Sequence, residues 1–163
     1  MTPLPTTLTA GDNPVALRPA TADDVPALTA LSRAPPRACE GWGGGVLLLA
    51  PYRRAFAAVD ADPAQLLLAV THDTDVVGTA QLTEIPGLSR GGTTRLQVEA
   101  VRVRADLRGR GIGAAVFTWA VEEARRRGCG LVQLTTDTRR PEAHRFYERL
   151  GFTASHVGFK RQL

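Results

Sequence analysis

Apolar positions recur along this chain in two rhythms. VALRP at 15–19, QLLLAV at 65–70, DVVGTAQLTEI at 75–85 and TRLQVEAVRVR at 94–104 alternate or run apolar over short stretches, as strands do. The polar turn THDT joins the second and third into a β-hairpin. In the fourth, strict alternation puts Leu96, Val98, Ala100 and Arg102 on one face and Gln97, Glu99, Val101 and Val103 on the other. LVQLTT at 131–136 reads as a short buried strand, and residues 152–162 as two more. Elsewhere the spacing is helical. Thr21 and Asp24 form a capping box that opens a helix running through Leu31. In PYRRAFAAVDA at 51–61, Tyr52, Phe56 and Val59 share a face. Ile112, Ala115, Val116, Trp119, Ala120 and Glu123 mark another helix, ended by Arg125–Arg127 and Gly128. A last helix runs from Pro141 to Gly151. The order β-α-α-β-β-β-α-β-α-β-β predicts one α/β (α+β) domain, with Gly- and Pro-containing loops at 33–45 and 85–92.

Composition adjusts this picture only at its edges. A chain of 163 residues suits a single core. The opening MTPLPTTLTAGDNP reads as a flexible lead-in, so residues 1–14 stand apart from a single domain over 15–163. It lacks the basic and apolar blocks of a secretory signal, and no apolar run approaches the ~20 residues of a membrane span. Cys39 and Cys129 provide no disulfide framework. These features together predict a cytoplasmic protein with no membrane partner. No cluster of His, Cys and Asp has metal-ligand spacing, so no metal is expected. The net charge of +4 and pI near 9.8 come almost wholly from arginine. Such a balance fits nucleic acid or a polyanionic small ligand. The sequence offers no base-reading helix or stacking surface, which argues against nucleic acid.

The chemistry concentrates in LRGRGIGAA at 107–115. Glycines that follow a strand and open a helix leave unpaired backbone N–H groups accessible, and Arg108 and Arg110 add charge. That is a cradle for a pyrophosphate; the alternative is a Gly-rich turn that merely starts a helix. The dinucleotide fingerprint also fits Gly109-x-Gly111-x-x-Ala114 loosely. Its context is wrong, because Arg104–Arg108 separate the glycines from the strand.

Arg108-Gly109-Arg110-Gly111-Ile112-Gly113 resembles the R/Q-x-x-G-x-G/A signature of the GCN5-related N-acetyltransferases, the GNAT superfamily. LVQLTTD at 131–137 followed by AHRFYERLGF at 143–152 resembles that family's second block. The likeness covers residues 15–162, and the tail from LTTDTRRPEAHRFYERLGF to SHVGFK is also similar to bacterial aminoalkylphosphonate N-acetyltransferases.

The resemblance implies a GNAT fold: a mixed, mostly antiparallel sheet with a V-shaped splay, flanked by about four helices. It implies acetyl-CoA as co-substrate. The backbone amides of Arg108, Gly109, Arg110, Gly111, Ile112, Gly113 and Ala114 would hold its pyrophosphate, and Val101 and Val103 its pantetheine arm. Asp137 stands where the family often has Asn and would contact the same arm. Tyr147 matches the tyrosine that protonates the departing thiolate. Glu99 is the candidate general base, either directly or through water, or a carboxylate paired with a nearby Arg; Glu84 is a second candidate. Loop 33–45, helix 51–61 and loop 85–93 would shape the acceptor pocket, with Trp42, Arg53 and Arg54 recognising an acidic group. The expected reaction moves an acetyl group to a primary amine of a small molecule, by direct attack in a ternary complex. An acyl-CoA-binding regulator without turnover and a protein or peptide N-acetyltransferase are the alternatives. The family often dimerises, so a homodimer is allowed.

Overall fold

The computed structural model describes residues 4–11, 13–32 and 49–163. The expected loop at 33–45, with Cys39 and Trp42, therefore lies outside the described residues. Among the described residues, six strands form one sheet in sequential order: β1 (Thr6–Ala10), β2 (Asn13–Pro19), β3 (Gln65–His72), β4 (Asp75–Ile85), β5 (Arg95–Val103) and β6 (Leu131–Gln133). Neighbours through β5 are antiparallel, and only the β5–β6 pair is parallel. This is the mixed, mostly antiparallel sheet that the family resemblance implies.

Two helical layers cover it. On one face lies α4 (Ile112–Arg126), whose Ile112, Val116, Phe117, Trp119 and Ala120 meet Leu17, Leu68, Leu82, Leu96 and Val98 in the main core. α5 (Pro141–Arg149) joins this face through aromatic rings. Phe117 packs edge-to-face against Phe146, Tyr147 and Phe152, at centroid separations of 5.9, 5.3 and 5.9 Å. The other face carries α1 (Val25–Ser32) and α2 (Leu49–Asp60) over a smaller cluster of Ala20, Leu28, Ala69, Phe56, Leu67 and Val76. A single turn, α3 (Ser89–Gly92), precedes β5.

The helix boundaries follow the sequence signals. The Thr21/Asp24 box is present at a 3-10 turn, Ala22–Asp24, that leads into α1. Gly128 and Gly151 close α4 and α5 with Schellman hydrogen bonds: Cys129 N to Ala124 O (2.9 Å) and Phe152 N to Tyr147 O (3.0 Å).

Three elements depart from expectation. Thr6–Ala10, which composition places in a flexible lead-in, is a strand because Leu8 and Ala10 turn inward and pair with Val15 and Asn13. Residues 153–163 are exposed and form no strand, since Val157 and Phe159 have the alternation of a strand but no apolar surface to meet. The third departure is inside β5. The register jumps from Gln81↔Glu99 to Thr79↔Arg102, so one extra residue bulges out around Ala100, whose φ is +51°. A bulge inverts the alternation beyond it. Leu96 and Val98 before it and Val101 and Val103 after it all face the α4 core. Glu99 is paired across with Gln81, which neighbours Leu67 on the α1–α2 face. The expectation that Glu99 shares a face with Val101 and Val103 is thus overturned.

Candidate active site

The parallel pairing of β5 with β6 ends at Gln97↔Gln133, where the two side chains share a 2.6 Å hydrogen bond. Beyond that point β5 and residues 134–137 separate, and a cleft of ≈ 400 Å³ opens between them. Its walls are Val98–Arg102 and Leu134–Asp137; Phe117 and Tyr147 come from the helical side, and Arg140 and Lys160 complete the lining. This opening is the expected splay. Its cause is local, because the β5 bulge removes the regular edge that a longer β6 would need.

Tyr147 is half-buried on α5 among Phe117, Phe146 and Phe152. Burial pushes its phenol above the ordinary value, and the positive charges of Arg140 and Arg102 oppose that shift. The phenol is therefore a neutral donor at physiological pH. Glu99 is exposed on the opposite face of β5 and lines the same cleft. The cleft thus passes through the sheet, with a phenol arriving from one layer and a carboxylate from the other.

The glycine stretch forms the start of α4, on the same helix pair. Gly111 caps α4 with φ +84°, and Gly109 has φ +78°. Side-chain-bearing residues adopt such angles only with strain, which is what the glycines avoid. The first intrahelical bond is Ala115 N to Gly111 O (3.0 Å). The N–H groups of Ile112, Gly113 and Ala114 consequently have no partner within the helix. A Cβ on Gly113 would touch Phe146 at 3.6 Å, so this helix start packs closely on α5 next to Tyr147. Arg108 and Arg110 are exposed beside it, and Arg108 Nε donates to Val103 O at 3.1 Å.

Val101 borders the cleft, while Val103 ends β5 under Arg108. Asp137 borders the cleft too, but its carboxylate is held by Arg139 through two side-chain bonds (2.8 and 3.1 Å) and the backbone N (2.9 Å). Those bonds keep it ionised far below the usual carboxylate range. His144 Nε2 donates to Asp137 O at 3.0 Å and braces the start of α5. Glu84, the second candidate base, is paired with Arg127 at the far end of α4, together with buried Glu123. That engagement removes it from the cleft. Arg53 and Arg54 are exposed on α2.

Four residues at the cleft were not assigned to it from the sequence. Thr136 Oγ1 is buried there without a hydrogen-bond partner. Arg102, Arg140 and Lys160 contribute positive charge to the lining. Lys160 alone had a readable signal, since it is the single lysine among 20 basic residues. Among the described residues, no group of three or more His, Cys, Asp or Glu is placed to hold a metal, and no helix is long and apolar enough to cross a membrane.

The sequence profile of the Acetyltransferase (GNAT) family matches residues 33–152. The chain belongs to the acetyltransferase (GNAT) family, which generally uses acetyl-CoA. It is 40% identical over 67 residues to an aminoalkylphosphonate N-acetyltransferase of Salmonella typhimurium, spanning 41% of this chain and 44% of that one. Against a glucosamine 6-phosphate N-acetyltransferase of Trypanosoma brucei brucei it is 37% identical over 79 residues, 48% of this chain and 52% of the relative. These matches span about half the length of the curated relatives or less. A solved structure from Bacillus halodurans C-125, named as a transcriptional regulator, is similar over 91% of this chain and 99% of its own, with 38% identity and a TM-score of 0.80.

Proposed function

We propose that this protein transfers an acetyl group from acetyl-CoA to the primary amine of a small molecule, by direct attack in a ternary complex. The observation that carries the reading is the through-sheet cleft, with Tyr147 on one side and Glu99 on the other. Such an arrangement lets donor and acceptor enter from opposite faces and meet at the gap.

The residues fit the co-substrate. A pyrophosphate suits the α4 N-terminus, whose free N–H groups and flanking Arg108 and Arg110 form an anion site. The backbone of Val101 and the orphaned hydroxyl of Thr136 offer partners to an extended amide-containing arm. When bound, acetyl-CoA supplies an activated acyl carbon with a thiolate leaving group. Glu99 takes the proton of the attacking amine, directly or through a water. Tyr147 donates its hydroxyl proton to the leaving sulfur, a role that fits a buried neutral phenol. Asp137, saturated by Arg139, orients the loop into α5 and does not exchange protons.

Arg102 and Arg140 border the cleft and favour an acceptor that carries a negative group as well as its amine. The two curated relatives, named for aminoalkylphosphonate and glucosamine 6-phosphate, support the same direction. A second reading, an acyl-CoA-binding regulator without turnover, draws on the name of the Bacillus halodurans protein. CoA release across a panel of amines, with and without phosphate or phosphonate groups, separates the two. Amine-dependent CoA release that falls in Glu99→Gln supports the enzyme. A thermal shift with acetyl-CoA and no release with any amine supports the regulator.

A further inference from the structure

The arginines of this chain are guanidinium groups that stay protonated and do not accept acyl groups. Of its 20 basic residues only Lys160 is a lysine, and that residue lines the cleft shared by Tyr147 and Glu99. The backbone explains how it gets there. Phe152 is anchored on the rings of Phe117 and Tyr147, at 5.9 and 6.2 Å, so the tail leaves α5 beside the phenol. Residues 153–163 then run exposed without regular structure, and Lys160 returns to the cleft. A segment held at Phe152 and otherwise unpaired can advance a flexible four-carbon amine into the opening at little cost.

We propose that Lys160 is an acetyl acceptor in cis, modified by the protein's own site; this rests on the acetyltransferase reading above. In the step, Lys160 Nζ reacts as the neutral amine, its ammonium proton having gone to solvent; its lone pair forms an N–C bond with the acetyl carbon and it gives one of its two remaining protons to Glu99. The carbon–sulfur bond breaks, and the sulfur leaves with the proton of Tyr147. The products are Nε-acetyl-lysine and the free thiol of CoA, and both catalytic groups recover their protonation from water. No redox partner is needed. Acetylation removes one positive charge from a cleft where Arg102 and Arg140 remain. It therefore tunes the site against anionic acceptors and fills part of the acceptor path with a neutral amide.

The test is intact-mass and peptide-mapping spectrometry of the full chain incubated with acetyl-CoA and no added amine. The expected result is one acetyl group approached per chain, located at Lys160, absent in Lys160→Arg and at least tenfold slower in Tyr147→Phe. The rate per molecule stays constant on dilution, as an intramolecular reaction requires. Equal labelling of heat-denatured protein or of Tyr147→Phe would mean bulk chemical acetylation and overturns the proposal. CoA release with free amines on the same preparation, without any gain at Lys160, overturns it while leaving the enzyme reading intact. Loss of both activities in protein that still shows a thermal shift with acetyl-CoA overturns both together.

Discussion

Asp24 joins the start of α1 to β2 and offers a sharp test of how this fold is held. Its carboxylate accepts two bonds from the Arg18 guanidinium, at 2.7 and 2.8 Å, and a third from Thr21 N at 2.7 Å. Its side chain is only 8% exposed. The Arg18 bonds, offset by burial and helped by Thr21, hold its pKa down to about 2 from 3.8. At 1.36 kcal/mol per pH unit this corresponds to about 2 kcal/mol of stability at neutral pH. Asp24→Asn keeps an oxygen for Thr21 N but loses the charge opposite Arg18. We expect it to unfold about 2 kcal/mol more easily at pH 7, or roughly 4–8 °C lower in Tm. Because the folded pKa is depressed, the stabilisation is fully present above about pH 4 and fades as pH falls toward 2. Urea unfolding of both proteins from pH 7 to 2.5 should show the gap shrinking to about half near pH 3. A gap independent of pH would refute the electrostatic account and leave only packing around the cap.

Other positions test the site and its supports. Gly111→Ala places a side chain at φ +84°, where the added Cβ sits no closer than 3.7 Å to Ala10; strain alone should cost about 1–2 kcal/mol in urea unfolding. The same variant should bind acetyl-CoA more weakly by calorimetry, since the α4 N-terminus is the site proposed for its phosphates. Glu123 is 2% exposed and pairs with Arg126 and Arg127, so Glu123→Ala should cost about 3 kcal/mol in denaturant unfolding. A loss below about 1 kcal/mol would show that Glu84 and solvent suffice for both arginines. Tyr147→Phe should lower kcat about a hundredfold with acetyl-CoA affinity unchanged. Because burial raises the phenol, the wild-type profile should show no alkaline loss of kcat from this group below pH 10.

The local elements were legible because their signals are local. Helix starts and stops at Thr21/Asp24, Gly128, Pro141 and Gly151 depend on hydrogen bonds a few residues apart, and each stands where its residues place it. Gly109 and Gly111 marked a helix start with accessible N–H groups, and the structure adds that both take positive φ. The apolar periods at 15–19, 65–70 and 75–85 also survived into the sheet, while the strand expected at 131–136 stops at Gln133. What the sequence left open were choices made between distant segments. Whether TTLTA joins the sheet depended on a neighbour with a free edge, and β2 provided one, while the tail near Val157 stays exposed and unpaired. One inserted residue at Ala100 reversed the faces of β5, which no alternating pattern announces, since a bulge is defined only against its partner strand. Only that reversal put Val101 and Val103 on the same side of the opening as Tyr147, leaving Glu99 on the other. Only the folded tail brought the single lysine to it, because proximity across a cleft is a property of packing and not of order along the chain.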